Sequence, residues 1–318
     1  MFAVAWGSSE VVAALVAAVT ALLTSVLSTP LRYVIDKRAL RHRLRTEYEY
    51  EQRKELRGLI GRYHGRMLEA ADTWSHRMRN LYIHEADGRF AVDGDYRKPD
   101  YYFRTTVHRF LVLLALARRF EAEALFIDAR IAERTDLDFL KFARAFRWTM
   151  TDLELVAGLD YDAWQGEDHF FTDELRALCD AALVDGEPLS LAEFERRAGV
   201  DAALEPALRF FDGLCSIEQR LRWDRLVVLH LLVMGFLNVV GYEIQRSGDA
   251  EFARVAGRLR NDAVGANLAA AIPRFGLGLQ PEAQRIVAAV AGAPARPPRI
   301  LRWAKGLGDE TPPPAPVP

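Results

Sequence analysis

The sequence predicts an all-α protein, in which an N-terminal transmembrane helix continues into a long juxtamembrane helix and then a multi-helix cytoplasmic domain. Three observations support this fold class. An uncharged apolar run lies near the N-terminus, apolar residues recur three and four positions apart in most of the remaining chain, and no segment shows the alternation typical of strands. The 318 residues are 50% hydrophobic and 27% charged, a composition too apolar for a disordered protein.

Charge and cysteine content exclude two further classes of protein. The chain has 42 basic and 44 acidic side chains and a formal net charge of −2, so no overall field attracts nucleic acid and we expect no such partner. Only two cysteines are present, Cys179 and Cys215. Their number and spacing are those of neither a disulfide scaffold nor a redox motif, and we expect both to be reduced and packed.

The predicted transmembrane anchor is residues 1–30. Residues 11–27 contain no charged side chain and span roughly 25 Å as a helix, and a few flanking residues extend this to the ~30 Å thickness of the hydrocarbon core. Residues 1–10 contain neither Lys nor Arg, and no small-residue cleavage site precedes the basic stretch. These features favour an uncleaved anchor over a cleaved signal peptide.

Basic residues after the apolar run predict the orientation of the chain. The six cations within this stretch are Arg32, Lys37, Arg38, Arg41, Arg43 and Arg45. Asp36 is the only acid among them, so residues 32–45 carry a net charge of +5 (6 − 1). The positive-inside rule then predicts a single-pass inner-membrane protein with its N-terminus outside and the bulk of the chain in the cytoplasm. We also expect contacts with anionic lipid headgroups from Arg38, Arg41, Arg43 and Arg45. Alternatively, these cations only set the topology.

A second apolar stretch, residues 226–244, predicts a buried core helix. It contains His230, Asn238 and Glu243, and polar groups are costly within hydrocarbon. A second membrane crossing remains the alternative, although it would export residues 245–318, which contain ten Lys or Arg against six Asp or Glu. We interpret His230 and Asn238 as lining a buried polar pocket, or alternatively as core groups satisfied by neighbouring side chains.

Residues 31–84 are predicted to form the long basic juxtamembrane helix, because no proline interrupts them after residue 30. Its apolar residues lie three or four apart: Leu56, Ile60, Tyr63, Met67, Ala70, Trp74, Met78 and Leu81. Such a seam suits packing against a helix of the same domain, or a coiled-coil homo-oligomer through residues 56–81.

The rest of the chain is predicted to comprise a turn-rich loop, a helical domain and a tail. Residues 85–99 contain two Asp-Gly pairs, which indicate a small hairpin or ordered loop. The helical domain, residues 100–291, begins with a helix to about residue 133. Residues 292–318 hold 8 of the 14 prolines and are predicted to be disordered. Further helices are expected at roughly 137–157, 172–183, 191–198, 202–214, 216–246, 250–271 and 281–291.

Sequence motifs for catalysis are lacking. No glycine precedes a lysine, as a P-loop requires, and neither GxGxxG nor GxSxG occurs. We therefore predict no catalytic, cofactor-binding or metal-ligating residue and expect no cofactor. A metal-dependent hydrolase remains an alternative if His64, His76 and His84 converge with carboxylates of other helices.

The acidic loop at residues 160–174 is a candidate partner-docking surface. Its six acids are interleaved with four aromatic residues, Tyr161, Trp164, Phe170 and Phe171. Aromatic side chains anchor many protein interfaces while charges set their specificity. Alternatively, the segment is a solvated inter-helix loop.

Together these patterns predict a membrane-anchored cytoplasmic helical protein that acts by binding, as a scaffold or effector with a protein partner. Two alternatives remain: a membrane-tethered metal-dependent hydrolase, and a two-crossing oligomeric channel or pore-forming protein.

Overall fold

The computed structural model describes residues 9–84, 88–97, 101–125, 134–162, 166, 168–218 and 220–292. These residues are mostly helical, which confirms the predicted all-α class. The proline-rich tail beyond residue 292 lies outside the described residues. The helices are α1 Ser9–Ile83, α2 Tyr101–Ala124, α3 Arg134–Thr151, α4 Thr172–Ala181, α5 Leu191–Arg197, α6 Glu205–Phe211, α7 Arg222–Val240, α8 Asp249–Ala256, α9 Asp262–Ala271 and α10 Pro281–Ala291. A two-stranded antiparallel hairpin, β1 Leu183–Val184 and β2 Glu187–Pro188, lies between α4 and α5.

The chain divides into two compact units, residues 1–55 and residues 56–318, and the boundary falls within α1. In the smaller unit the described residues are helical from Ser9 onward. Its described side chains in residues 11–22 and 37–47 are all exposed. Ion pairs one helical turn apart join Arg43 to Glu47 and Arg45 to Glu49, each at 2.8 Å.

The larger unit is built around α7, which packs against α3, α8, α9 and α10. Residues 222–238 of this helix are all buried, as expected of a helix that is apolar on every face. Phe236 illustrates the packing, since its ring lies 5.1 Å, 6.1 Å and 5.6 Å from those of Phe139, Phe142 and Phe146 on α3. Gly235 allows α7 and α10 to lie close together, because a Cβ at this position would lie 3.1 Å from the Ile286 side chain of α10.

The apolar seam of α1 packs within the larger unit. Seven of its eight residues are buried, and Ile60 packs against the same core. The ring of Trp74 lies 5.7 Å from that of Phe110, and the ring of Tyr63 lies 5.6 Å from that of Phe120, both on α2. The seam therefore packs intramolecularly, while other side chains of residues 56–81 remain exposed. A homo-oligomer through residues 56–81 therefore cannot use this seam, because the seam is already buried.

The helix predicted over residues 250–271 is divided into α8 and α9. The break is held by Asp224 of α7, which is fully buried. Its carboxylate accepts hydrogen bonds from the backbone N–H of Arg260 at 2.8 Å and from Asn261 Nδ2 at 2.6 Å. A local pattern could not reveal this break, because the acceptor lies more than thirty residues earlier in the chain.

Of the two structures predicted for residues 85–99, the described residues 88–97 form the ordered loop, and the hairpin lies at a different Asp-Gly pair. Described residues 88–97 form turns, in which the Asp212 carboxylate accepts hydrogen bonds from the backbone N–H groups of Val92, Asp93 and Gly94. The strands form instead on either side of Asp185 and Gly186, whose φ angles are +51° and +83°. Two consecutive positive φ angles are what a two-residue hairpin turn requires.

Candidate functional site

The predicted polar residue His230 lies between two hydroxyl groups of α1. Its Nε2 is 3.0 Å from Ser75 Oγ, and its Nδ1 is 2.9 Å from Tyr82 Oη. Ser75 and Tyr82 are seven residues apart, about two helical turns, so both project from the same face of α1. This spacing places one hydroxyl at each nitrogen of the imidazole.

Burial keeps the His230 imidazole neutral. Desolvation, with a smaller effect from the positive charge of Arg79, lowers the pKa of His230 to about 3. A neutral imidazole has one N–H donor and one acceptor nitrogen, so one hydroxyl accepts a hydrogen bond and the other donates one. Ser75 and His230 are both fully buried, and the second ring nitrogen contacts a phenol. This arrangement favours a structural role over that of a serine nucleophile and its base.

Asn238 belongs to a separate network. Its Nδ2 donates to the backbone oxygen of Ser247 at 2.9 Å and to Glu282 Oε2 at 2.7 Å, while its Oδ1 accepts from the backbone N–H of Ser247 at 2.7 Å. These bonds join α7 to the segment before α8 and to α10. His230 and Asn238 therefore do not share a pocket, and each has partners within the chain. This supports the alternative in which both are satisfied core groups.

The four arginines expected to contact lipid are exposed on α1. At about 100° per residue, Arg38, Arg41 and Arg45 project within about 60° of one another, whereas Arg43 projects from another side. Arg43 and Arg45 also pair with glutamates one turn along the helix. Exposed pairs of this kind contribute only about 0.3–0.5 kcal/mol, so they compete weakly with headgroup contacts.

The expectation for Phe170 in the acidic loop is corrected by the structure. Phe170 is buried, its ring lies 4.9 Å from that of Phe210, and its backbone N–H donates to Met150 O at 2.9 Å. Among the other three aromatic residues, Phe171 is half exposed, and Tyr161 Oη is hydrogen-bonded to His169 Nδ1. Trp164 lies outside the described residues. Among the described aromatic residues of the acidic loop, Tyr161 and Phe171 are therefore the two that a partner could contact.

The acidic loop is also joined to the start of α7. Asp168 is buried, and its carboxylate accepts hydrogen bonds from Arg220 Nε and from the backbone N–H of Leu221, both at 2.7 Å. One acid of the loop is thus committed to the fold. Sequence analysis missed this role, because a hydrogen bond between residues 168 and 221 leaves no periodic signal.

The histidines considered for a metal site have other partners. His64 Nε2 is 3.2 Å from Val240 O, and His76 Nδ1 is 3.6 Å from Asp72 Oδ2. Within the residues described, no three His, Cys, Asp or Glu side chains group as metal ligands. The described part of the chain therefore gives no support to the hydrolase alternative.

Buried arginines were a further feature that sequence analysis missed. Arg225 of α7 is fully buried, and burial lowers its pKa to about 10. Its Nη1 donates to Thr149 O at 2.7 Å, whereas Nε and Nη2 are without a hydrogen-bond partner. Arg77 of α1 and Arg109 of α2 form a second group, for which the only signal was several arginines close to adjacent tyrosines.

No known protein family matches this chain, and neither does any curated protein or solved structure at a significant level. Its function is therefore inferred from the chain's own residues.

Proposed function

We propose that the protein is a membrane-anchored cytoplasmic binding protein, held in the inner membrane by a single helix over residues 11–27. Its helical unit, from residue 56 onward, would bind a protein partner at the cytoplasmic surface. The observation that supports this proposal is the exposure of the apolar part of α1. All twelve side chains from residue 11 to residue 22 are uncharged and exposed.

The exposed segment carries no charge on any side of the helix. Its large side chains are Val11, Val12, Leu15, Val16, Val19 and Leu22, which are 37–66% exposed. They project within about 140° of one another, and alanines with Thr20 complete the circumference. The lack of any charged side chain in residues 11–22 suits hydrocarbon. Burial of one Val or Leu contributes about 1.5–3 kcal/mol, so six of them supply roughly 10 kcal/mol or more toward insertion.

The cations after this segment support the proposed orientation and lipid contact. Lys37, Arg38 and Arg41 are exposed on α1, where each basic residue near an anionic surface contributes about 1 kcal/mol. The positive-inside rule assigns them to the cytoplasmic side. An anchor of this kind also raises the effective concentration of the helical unit for partners held at the same membrane.

The environment of α7 favours a single crossing. Among the described residues, α7 is long and apolar enough to span a membrane, and the apolar run Val11–Leu22 is shorter. However, 89% of the apolar window of α7 is buried inside the protein. The core helix of a soluble domain meets the same criterion. A second crossing would expose the buried Arg222, Asp224 and Arg225 at its start and would separate α7 from four neighbouring helices, and both changes are costly.

Charged substitutions in the apolar segment test the proposal. We expect the full-length protein expressed in bacteria to remain in the membrane fraction after alkaline carbonate extraction. Leu15→Arg combined with Val19→Arg should move most of it to the soluble fraction, because each arginine at a helix centre costs about 2.5–3.5 kcal/mol of insertion.

The matched control is Leu40→Arg combined with Leu44→Arg, at exposed positions of the same helix beyond the apolar segment. This variant should remain with the membrane. A soluble wild-type protein, or a Leu15/Val19 variant as firmly bound as the wild type, would contradict the proposal.

A further inference from the structure

Tyr102, Thr105 and Arg109 project from one face of α2, and Arg77 of α1 contacts that face. Arg77 of α1 is only 6% exposed, and its hydrogen bond is to a neutral group, from Nη2 to Thr105 Oγ1 at 2.7 Å. Its Nε is buried without a hydrogen-bond partner. Arg109 of α2 is half-buried, and in the described chain neither arginine forms an ion pair. Other arginines of the same helices do, as Arg79 does with Glu251 at 2.7 Å.

The electrostatic surroundings of Arg109 are positive. Burial lowers its pKa, and the neighbouring charge of Arg77 lowers it further. The groups that oppose this shift are two phenols, Tyr101 and Tyr102, and no carboxylate is among them. Leaving buried guanidinium groups without a counter-charge costs free energy, and a bound anion would remove that cost.

Tyr102 supplies a further hydrogen-bond donor at this position. Its hydroxyl is buried without a partner, and its ring lies between basic groups, 4.4 Å from the Arg77 guanidinium carbon and 5.1 Å from that of Arg89. Cation–π contacts of this kind hold a guanidinium in place without neutralising it. The cluster thus combines fixed cations with unused N–H and O–H donors.

Arg225 differs in its surroundings, although it also has unpartnered nitrogens. Tyr161 and the carboxylates of Asp168 and Asp152 act on Arg225 and oppose the lowering of its pKa by burial, whereas no carboxylate is among the groups that act on Arg109.

We propose that Arg77, Arg109 and Tyr102 form a binding site for a phosphate group. A guanidinium presents N–H donors in a planar fork that matches phosphate oxygens, and two guanidiniums with a phenol suit a dianion better than a single carboxylate. The exposed sides of Arg109 and of Tyr101, which is 67% exposed, provide the approach. The phosphate group belongs either to a soluble molecule or to a lipid headgroup.

Phosphate titration of the full-length protein in phosphatidylcholine nanodiscs tests this site. Isothermal titration calorimetry with inorganic phosphate should show one site with a Kd in the millimolar range or tighter. Arg109→Gln and Tyr102→Phe should each weaken binding about tenfold, because a hydrogen bond to a charged group contributes about 1.5–3 kcal/mol. The phenylalanine variant keeps the ring stacked on Arg77, and circular dichroism checks that both variants fold.

The matched control is Arg118→Gln, which also removes a half-buried arginine of α2 but lies nine residues along the helix, about 180° around its axis. This variant should bind phosphate as the wild type does. An absence of phosphate binding, or an equal loss in all three variants, would overturn the proposal.

A second arm distinguishes the two sources of the phosphate group. If a lipid headgroup occupies the site, phosphatidic acid in the nanodiscs should compete and abolish binding of inorganic phosphate to the wild type. If a soluble molecule occupies it, the affinity should be the same in both kinds of nanodisc. Either result supports the site, provided that Arg109→Gln weakens phosphate binding in phosphatidylcholine nanodiscs.

Discussion

Tyr82 Oη lies 2.9 Å from Nδ1 of His230, within hydrogen-bond distance across the contact between α1 and α7. The two residues are separated by 148 positions in sequence. With Ser75 at the other ring nitrogen, this contact joins a fully buried polar group of α7 to α1.

The depressed pKa of His230 predicts a loss of stability in acid. The unfolded histidine takes up a proton near pH 6.5, whereas the folded one does so only near pH 3. The stabilisation is therefore complete above about pH 6.5 and declines as the pH falls toward 3, by up to about 1.4 kcal/mol per pH unit. Denaturant unfolding of the full-length protein in detergent at several pH values measures this slope. His230→Gln should reduce it. Equal slopes in wild type and His230→Gln would refute the assignment.

Removing the Tyr82 hydroxyl should destabilise the larger unit. Tyr82→Phe leaves His230 Nδ1 buried without a partner, which costs about 1–3 kcal/mol in the free energy of unfolding. The ring remains in place against Trp223, whose centroid is 5.9 Å away, so lost packing does not explain the effect. Tyr48→Phe, at an exposed position of the same helix, is the control and should be neutral. A neutral Tyr82→Phe would show that the hydrogen bond contributes nothing.

Asp224→Asn should destabilise the segment that joins α8 to α9, which Asp224 holds by hydrogen bonds to Arg260 and Asn261. The substitution keeps the shape of the side chain but removes the charge facing Arg260, whose Nε is 3.7 Å from Asp224 Oδ1. We expect a loss of about 2 kcal/mol or more, since removing one partner leaves a buried charge uncompensated. Hydrogen exchange should show faster opening of residues 257–262 in particular. Asp180→Asn, at an exposed position, serves as the control, and unchanged exchange in the Asp224 variant would contradict this role.

Arg77→Met should raise stability in the absence of phosphate. Methionine is long and apolar, so it fills much of the same space and removes a buried donor without a partner, which costs about 1–3 kcal/mol. Thermal unfolding should show a higher Tm without phosphate and no further increase on adding it. A lower Tm without phosphate would mean that the arginine is already compensated in the fold.

Local sequence patterns predicted most of the helices. The apolar residues of α7 predicted a buried helix because they cover every face, and the spacing from Leu56 to Leu81 predicted an intramolecular seam, which the structure confirms for both. The hairpin at Asp185-Gly186 could also have been predicted, since an Asp-Gly pair is the turn signal that was used for the loop before α2. The break between α8 and α9 could not be predicted from local sequence, because it depends on the buried Asp224 carboxylate of α7.

The candidate sites were harder to predict from sequence than the helices. His230 was recognised as a polar residue in an apolar helix, but its partners lie 148 and 155 residues away. Phe170 was assigned to a docking loop on composition alone, and burial against Phe210 removes it from that surface. Arg77 belongs to no recognisable motif. Only its contact with Tyr102 and its electrostatic effect on Arg109 identify it as a candidate site residue.

The most direct test of the proposed anchoring is the location of the C-terminus of the full-length protein relative to the membrane. A protease-sensitive tag placed after residue 318 should be cleaved in inside-out vesicles and protected in right-side-out vesicles, since one crossing leaves the helical unit in the cytoplasm. Cleavage from the outer face would place α7 across the bilayer, and recovery of the tagged protein in the soluble fraction would remove the anchor altogether. Either result would contradict the account.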